Sequence, residues 1–283
     1  MTVLQLDRWG LSIGDGQPLL VIAGLNVLED LDLALATATH LKQVTADLGL
    51  PFVFKASYDK ANRSSITSYR GPGMAEGLKM LAEVKARLGV PIATDIHELD
   101  QVGPVAEVAD IVQIPAFLCR QTDLVVAAAR AVDRSGGWLH VKKGQFLAPW
   151  DCRNIISKIG EVATRDVTIL CERGNSFGYN NLVVDMLGIG EMQRLGVPVT
   201  IDATHAVQLP GADPRTGGGS TGGRREGVPV IAKAAVAAGA DGVFLEFHPE
   251  PDKALCDSPS CLALDSAAAL LATLQRVRAA VIA

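Results

Sequence analysis

Between Lys55 and Ser65 the chain sets two lysines, an arginine, an asparagine and three serines within eleven residues, reading KASYDKANRSS. The segment follows the apolar run Phe52-Val53-Phe54. Cations interleaved with short hydroxyls at the end of a buried strand suit a phosphorylated, hydroxylated metabolite. The charges meet the anion and the small donors meet the rest. A solvated loop would share this composition, but the pattern recurs. Asn26 follows the run Leu19–Ala23, and Asp95 and His97 follow Ile92-Ala93-Thr94. Gln113 follows Ile111-Val112, and Lys142 with Lys143 follows Leu139-His140-Val141. Glu172 with Arg173, Asp202 with His205, and Glu246 with His248 close three further runs. Core packing does not ask for a polar residue at the end of every apolar run, whereas one convergent site does. Cations at several of those ends imply an anionic ligand, and phosphate is the first candidate.

Eight apolar runs have strand length: Leu19–Ala23, Phe52–Lys55, Ile92–Ile96, Ile111–Pro115, Leu139–Lys142, Val167–Cys171, Val199–Asp202 and Val243–Phe247. Between them lie helix-period segments at Leu31–Leu48, Met74–Leu88, Asp123–Ala131, Asn181–Leu195, Val230–Ala238 and Ser266–Ile282. Strands alternating with helices predict a parallel sheet, and eight such units in 283 residues predict a closed (β/α)8 TIM barrel spanning 1–283 as one domain. An open doubly wound sheet is the alternative, but no Gly-x-Gly-x-x-Gly follows the first strand. Residues 2–18 read as a short N-terminal β-hairpin, placed to close the barrel bottom. In a barrel the C-terminal strand ends carry the chemistry, which is where the polar residues fall.

With 48% hydrophobic residues and a formal charge of −5, the chain can bury a large core and is not a general nucleic-acid binder. Any anion site must be a local cluster in an acidic protein. Five cysteines without paired spacing suit a reducing compartment, and residues 1–10 lack the pattern of a secretory leader. No apolar run approaches a membrane span, so a cytoplasmic protein is expected. The glycine-rich stretch 209–225 is expected to act as a lid. His205, Glu246 and Asp257 could converge as one nitrogen and two oxygen ligands. With an amide at Asn26 in place of a soft ligand, a tight metal site is not expected, nor is any other cofactor.

Laid out along these strand ends, the chain resembles the 3-deoxy-D-manno-octulosonate 8-phosphate synthases, also called 2-dehydro-3-deoxyphosphooctonate aldolases. The resemblance runs from about residue 3 to 275. It is carried by FKASYDKANRSS at 54–65, RGPG at 70–73, TDIHE at 94–98, QIPAFLCRQTDL at 113–124, VKKGQF at 141–146, ERGNSFGYNNLVVD at 172–185, DATHAVQLPG at 202–211 and EFHPEPDKALCD at 246–257. It implies condensation of phosphoenolpyruvate with D-arabinose 5-phosphate on the way to Kdo and lipopolysaccharide. Lys60, Lys143, Arg173, Gln113 and the Ala116 backbone would hold phosphoenolpyruvate, over a floor shaped by Lys55, Ser57 and Asp95. Asn62, Arg63 and Ser64 would take the arabinose phosphate, the last two in a neighbour's site within a homotetramer. His205 and Asp257, with Asn26 nearby and Glu246 orienting them, would place or deprotonate the attacking water.

The family has metal-dependent and metal-independent branches, and this chain mixes their marks. Asn26 and Cys256-Asp257-Ser258-Pro259 resemble the metal-independent branch, while KKGQFLAPWD at 142–151 and CRQTDL at 119–124 resemble the other. Loss of the thiolate leaves three ligands, so metal independence is expected. A related synthase acting on erythrose 4-phosphate is the chemical rival, set aside because of Ala61-Asn62-Arg63-Ser64-Ser65. A sialic-acid-type synthase would leave Arg63 and Ser64 without an anion. A non-catalytic barrel that senses phosphorylated ligands is the rival from another class.

Overall fold

The computed structural model describes residues 2–213, 217 and 221–282. Eight parallel strands close on themselves: β1 (Leu20–Val27), β2 (Phe52–Ser57), β3 (Ile92–Asp95), β4 (Ile111–Ile114), β5 (Trp138–Lys142), β6 (Thr168–Glu172), β7 (Val199–Asp202) and β8 (Gly242–His248). Each pairs with its neighbour in sequence, and β8 pairs with both β7 and β1 to complete the barrel. Eight helices follow the strands in turn: α1 (Leu31–Asp47), α2 (Met74–Leu88), α3 (Val102–Val108), α4 (Thr122–Ser135), α5 (Arg153–Gly160), α6 (Leu187–Gln193), α7 (Val228–Ala237) and α8 (Ala267–Ile282). The expected (β/α)8 barrel is the observed fold.

Strand alternation sorts the apolar residues into two cores. Leu19, Val21, Phe52, Phe54, Leu139, Val141, Leu245 and Phe247 point outward and pack under the helices. Leu20, Ile22, Val53, Ile111, Trp138, Ile169 and Phe244 form the inner core. That inner cluster includes Leu4, Leu6 and Ile13 of the N-terminal hairpin, whose strands Leu4–Leu6 and Leu11–Ile13 pair antiparallel. One buried carboxylate latches the hairpin: Asp110 Oδ1 accepts from Trp9 Nε1 at 2.8 Å and faces Arg8 Nε at 3.1 Å, while Oδ2 meets Lys85 at 2.9 Å.

Most expected boundaries shift by a residue or two, and three differences are larger. The first strand continues past Ala23 to Val27, with a register shift between Gly24 and Val27. A Cβ on Gly24 would fall 2.0 Å from the Lys55 carbonyl oxygen, so only glycine lets β1 and β2 approach there. The helix expected over Asn181–Leu195 is confined to Leu187–Gln193, because Leu182–Val183 pairs instead with Asn175–Ser176. Helices α3 and α5 were not expected; both are short, and α3 contains Gly103 and Pro104. Gln208–Leu209 pairs with Gly222–Gly223 at the base of the glycine-rich stretch. The centre of that stretch, and with it the expected lid, lies outside the described residues. Among the described residues no helix is long and apolar enough to cross a membrane.

Candidate active site

The inward-facing positions change character along the barrel. Above the apolar floor come Gln113, His140 and Thr200, and above those Lys55, Asp95, Lys142, Asp202 and Glu246, all buried. Charged groups at this depth persist only when paired. Lys55 Nζ donates to Glu246 Oε1 at 2.9 Å and to the Asn26 carbonyl at 3.2 Å. Lys142 Nζ donates to Asp202 Oδ2 at 2.5 Å and sits 3.8 Å from the centre of the Phe244 ring. Asp202 also accepts from the His205 backbone N–H at 2.9 Å and meets His205 Nδ1 at 2.8 Å. The His205 ring is thereby turned so that Nε2 faces Glu246 and Asp257, 3.6 and 3.7 Å away. Between those carboxylates lies the Asn26 amide, donating to Glu246 and, at 3.1 Å, to Asp257 Oδ2. Asp257 itself occupies the left-handed region with φ 48°, a conformation Asp tolerates better than most residues and one common at functional sites.

Over this layer opens a cleft of about 720 Å³, large enough for two small phosphorylated molecules. Lys55, Lys142, Gln113, Asp95 and Arg173 line its floor, Ala116 one wall, and Lys60, Asn62, Arg63 and Ser64 another. Arg173 Nη2 donates to Gln208 Oε1 at 3.0 Å, leaving Nη1 buried with no partner among the described residues. The loop bearing Lys60 to Ser64 is pinned at its base, where Arg70 grips Asp59 through two bonds of 2.8 and 2.5 Å and the Lys60 N–H donates to the Arg70 carbonyl.

Burial opposes ionisation of Glu246, but His205, Lys55, Lys60 and Lys142 outweigh it and hold the carboxyl at about 2. Burial likewise works against charge on Asp95 and Asp202. His97 and the lysines for the first, and His205 with Lys142 for the second, keep both well below the usual carboxylate range. Burial also disfavours the Lys60 ammonium, yet Glu246, Cys256, Asp95 and Asp257 raise its pKa above that of an ordinary lysine. Burial lowers Lys55 despite Glu246. The cleft therefore holds ionised groups of both signs, fixed before any ligand arrives.

Eleven of the fifteen residues expected at the site line the cleft: Lys55, Lys60, Asn62, Arg63, Ser64, Asp95, Gln113, Ala116, Arg173, His205 and Asp257. Asn26 and Glu246 lie directly beneath, in contact with Asp257 and Lys55. Two sit elsewhere. Ser57 is fully buried, its hydroxyl has no partner among the described residues, and it is not part of the cleft lining. Lys143 is also fully buried, its ammonium held by Asn175 and 3.5 Å from Glu172. The reason is strand parity: Lys142 faces into the barrel, so its neighbour Lys143 faces out of it. At this strand end it is Lys142 that lines the cleft, with Asp202 as its buried partner. Counting alternate positions from Trp138 would have found the first. Arg63 Nη1 lies 2.5 Å from Cys256 Sγ of the same chain, on the lining of the cleft.

This donor set does not suit a divalent metal. An amide N–H, already bonded to both carboxylates, points into the space a cation would need beside Glu246 and Asp257.

A closed parallel barrel with a cation-lined cleft at its C-terminal strand ends defines the (β/α)8 enzymes that act on small anionic metabolites. The chain belongs to the DAHP synthetase I family, whose model matches residues 2–282. Among its relatives, the 2-dehydro-3-deoxyphosphooctonate aldolase of Geobacter sp. (strain M21) is 53% identical over 272 residues, covering 96% of each chain. The enzyme of the same name from Desulfotalea psychrophila is 52% identical over 281 residues, 99% of this chain and 97% of the relative. That of Nitratidesulfovibrio vulgaris is 57% identical over 251 residues, 89% of each.

Proposed function

We infer that this chain condenses phosphoenolpyruvate with D-arabinose 5-phosphate and water, giving 3-deoxy-D-manno-octulosonate 8-phosphate and inorganic phosphate. The observation that carries this reading is the clustering of Lys55, Lys60, Lys142, Arg63 and Arg173 around one cleft. Two like-charged substrates can share a site only where cations offset their repulsion. Lys142, Arg173, Gln113 and the wall at Ala116 hold phosphoenolpyruvate; Lys60 spans the two substrates. Asn62, Arg63 and Ser64 take the arabinose phosphate within the same chain. Carbon 3 of the enol attacks the aldehyde carbon, water adds at carbon 2, and phosphate leaves with cleavage of its C–O bond. His205 Nε2 and Asp257 place the water and accept its proton, with Asp202 fixing the imidazole and Asn26 and Glu246 fixing Asp257. Orientation of two anions in a preorganised field supplies the rate.

The reaction runs without a metal, since the Asn26 amide already satisfies the carboxylates. The protein works in the cytoplasm, in keeping with five buried, unpaired cysteines. Exposed Phe117, Phe146 and Phe177, on the loops after β4, β5 and β6, support self-association into a homotetramer near the cleft mouth. The test is phosphoenolpyruvate consumption by chelator-treated protein, with arabinose 5-phosphate or erythrose 4-phosphate as acceptor. Turnover with arabinose 5-phosphate alone is expected. Turnover only with erythrose 4-phosphate overturns the substrate, and turnover only after manganese or zinc is added overturns metal independence.

A further inference from the structure

His140 lies on the inward side of β5, two residues below Lys142, and is 1% exposed. Its ring runs nearly parallel to Phe244, with 14° between their planes. Nδ1 is 3.1 Å from Gln113 Oε1, and Nε2 is 2.8 Å from Thr200 Oγ1. The imidazole thus bridges β4 and β7 beneath the cleft floor and reaches the cleft through Gln113. Burial, then Lys142 and Lys55 against Asp202, push it down to about 3, so the ring is neutral at physiological pH.

A neutral imidazole carries one N–H, so one of its contacts is a donation and the other an acceptance. Thr200 has one hydroxyl hydrogen, and its oxygen lies 2.8 Å from His140 Nε2 and 3.3 Å from the Leu170 carbonyl. If that hydrogen goes to Leu170, His140 must carry its own on Nε2. A bare Nδ1 then faces Gln113 Oε1, and the amide must turn over, presenting its carbonyl oxygen to the cleft. If Thr200 instead donates to Nε2, Nδ1–H donates to Gln113 Oε1 and every polar atom of the bridge is paired. The second arrangement is the one that keeps Gln113 Oε1 where it lies, against Nδ1, and it leaves the Gln113 NH2 for the cleft.

We propose that His140, locked as the Nδ1–H tautomer by Thr200, is a positioning residue that fixes the polarity of Gln113, so that an N–H donor and not a carbonyl oxygen meets the anionic substrate. The consequence for phosphoenolpyruvate rests on the function proposed above; the tautomer does not. A carbonyl turned toward a bound anion replaces an attraction by a repulsion in a site of low dielectric.

Two measurements on the full chain test this. The first is the long-range 15N–1H spectrum of histidine-labelled protein, where His140→Asn identifies the signal among five histidines. An Nδ1–H pattern is expected, lost in Thr200→Val; an Nε2–H pattern in the wild type overturns the proposal. The second is the KM for phosphoenolpyruvate in two variants. His140→Asn keeps an amide N–H near the place of Nδ1, so KM should stay near wild type. His140→Leu keeps volume without a donor, and KM should rise about tenfold, with the arabinose 5-phosphate KM unchanged. Equal KM values in the two variants overturn the proposal. If the leucine variant does not fold, Thr200→Val replaces it, with the same rise expected and an unchanged KM overturning the idea. Wild-type protein that consumes no phosphoenolpyruvate would sink the proposed function and leave the tautomer to stand or fall on its spectrum.

Discussion

The Asn26 amide nitrogen donates to two carboxylates at once, Glu246 and Asp257, beneath the cleft. Each carboxylate needs a donor at this depth, and a single neutral side chain serves both. Asn26→Asp keeps the shape but puts a third carboxylate in the cluster. Turnover at pH 7 should fall by at least about 10²-fold, because the field around the water site is reorganised. Initial rates of phosphoenolpyruvate loss would decide this, and wild-type rates in the variant would mean that the amide is a spectator.

Lys142 and Lys143 are neighbours in sequence with opposite fates, and their methionine variants should separate accordingly. Lys142→Met removes a cation from the cleft and strands Asp202, so turnover should drop by about 10³-fold. Loss of one partner of a buried pair should also lower stability by about 3 kcal/mol. Lys143→Met leaves Glu172 its bonds from the Arg173 and Gly174 N–H groups. It should lower the melting temperature while keeping the phosphoenolpyruvate KM within about threefold of wild type. The reverse ranking in steady-state kinetics would reassign the lysine.

That pair also marks the boundary of what the sequence made legible. Eight apolar runs were visible because strands buried on both faces need apolar residues at nearly every position, and Phe52-Val53-Phe54 shows this well. Which of two adjacent cations faces inward depends on strand phase, and a run apolar on both faces carries no phase. The Asn26 position was legible as a polar residue after a strand, although β1 in fact runs through it. The Lys142–Asp202–His205 chain joins one strand end to another and to the turn that follows it, and only closure of the barrel brings them together. Helix α3 stayed hidden because Gly103 and Pro104 weaken its pattern, which tertiary packing overrides.

Arg63 faces its own chain's Cys256, so its effect should be confined to its own subunit. Arg63→Ala should raise the KM for arabinose 5-phosphate by about tenfold or more and leave that for phosphoenolpyruvate unchanged. Mixing Arg63→Ala with Lys142→Met subunits, after dissociation and reassembly, should restore no activity, since every site keeps one defect. Recovery on mixing would show that Arg63 serves a neighbour.

Asp110 should matter for stability and not for chemistry. It gathers Arg8, Trp9 and Lys85, and its Oδ2 also accepts from the Ile92 N–H at 2.9 Å. Asp110→Ala leaves buried donors unsatisfied and should cost about 3 kcal/mol in urea unfolding. Both KM values should hold at a temperature where the variant is folded. A change in KM without a change in unfolding midpoint would contradict the latch.

Stability should fall in two stages as pH is lowered, and the buried groups fix the windows. His140 is held at about 3, below its ordinary 6.5, so the folded state keeps it neutral while the unfolded chain takes up a proton. Its contribution is complete above pH 6.5 and drains away as pH falls from there toward 3. Glu246 is held at about 2 against an ordinary 4.5, and Asp95 and Asp202 are lowered as well. These carboxylates stabilise the fold above their ordinary values and lose that contribution only as pH falls below about 4.5. Lys55 has the opposite sign: its lowered pKa disfavours the folded state wherever lysine is charged, so it adds no slope in acid. Melting temperatures from pH 8 to 3 should therefore begin to decline near 6.5 and steepen below 4.5. The His140→Asn variant, with nothing to titrate at that position, should decline less than wild type between 6.5 and 4.5. A wild-type curve already flat from 6.5 to 4.5 would mean that the imidazole titrates normally in the fold, and that the barrel interior beneath the cleft is wetter than its packing implies.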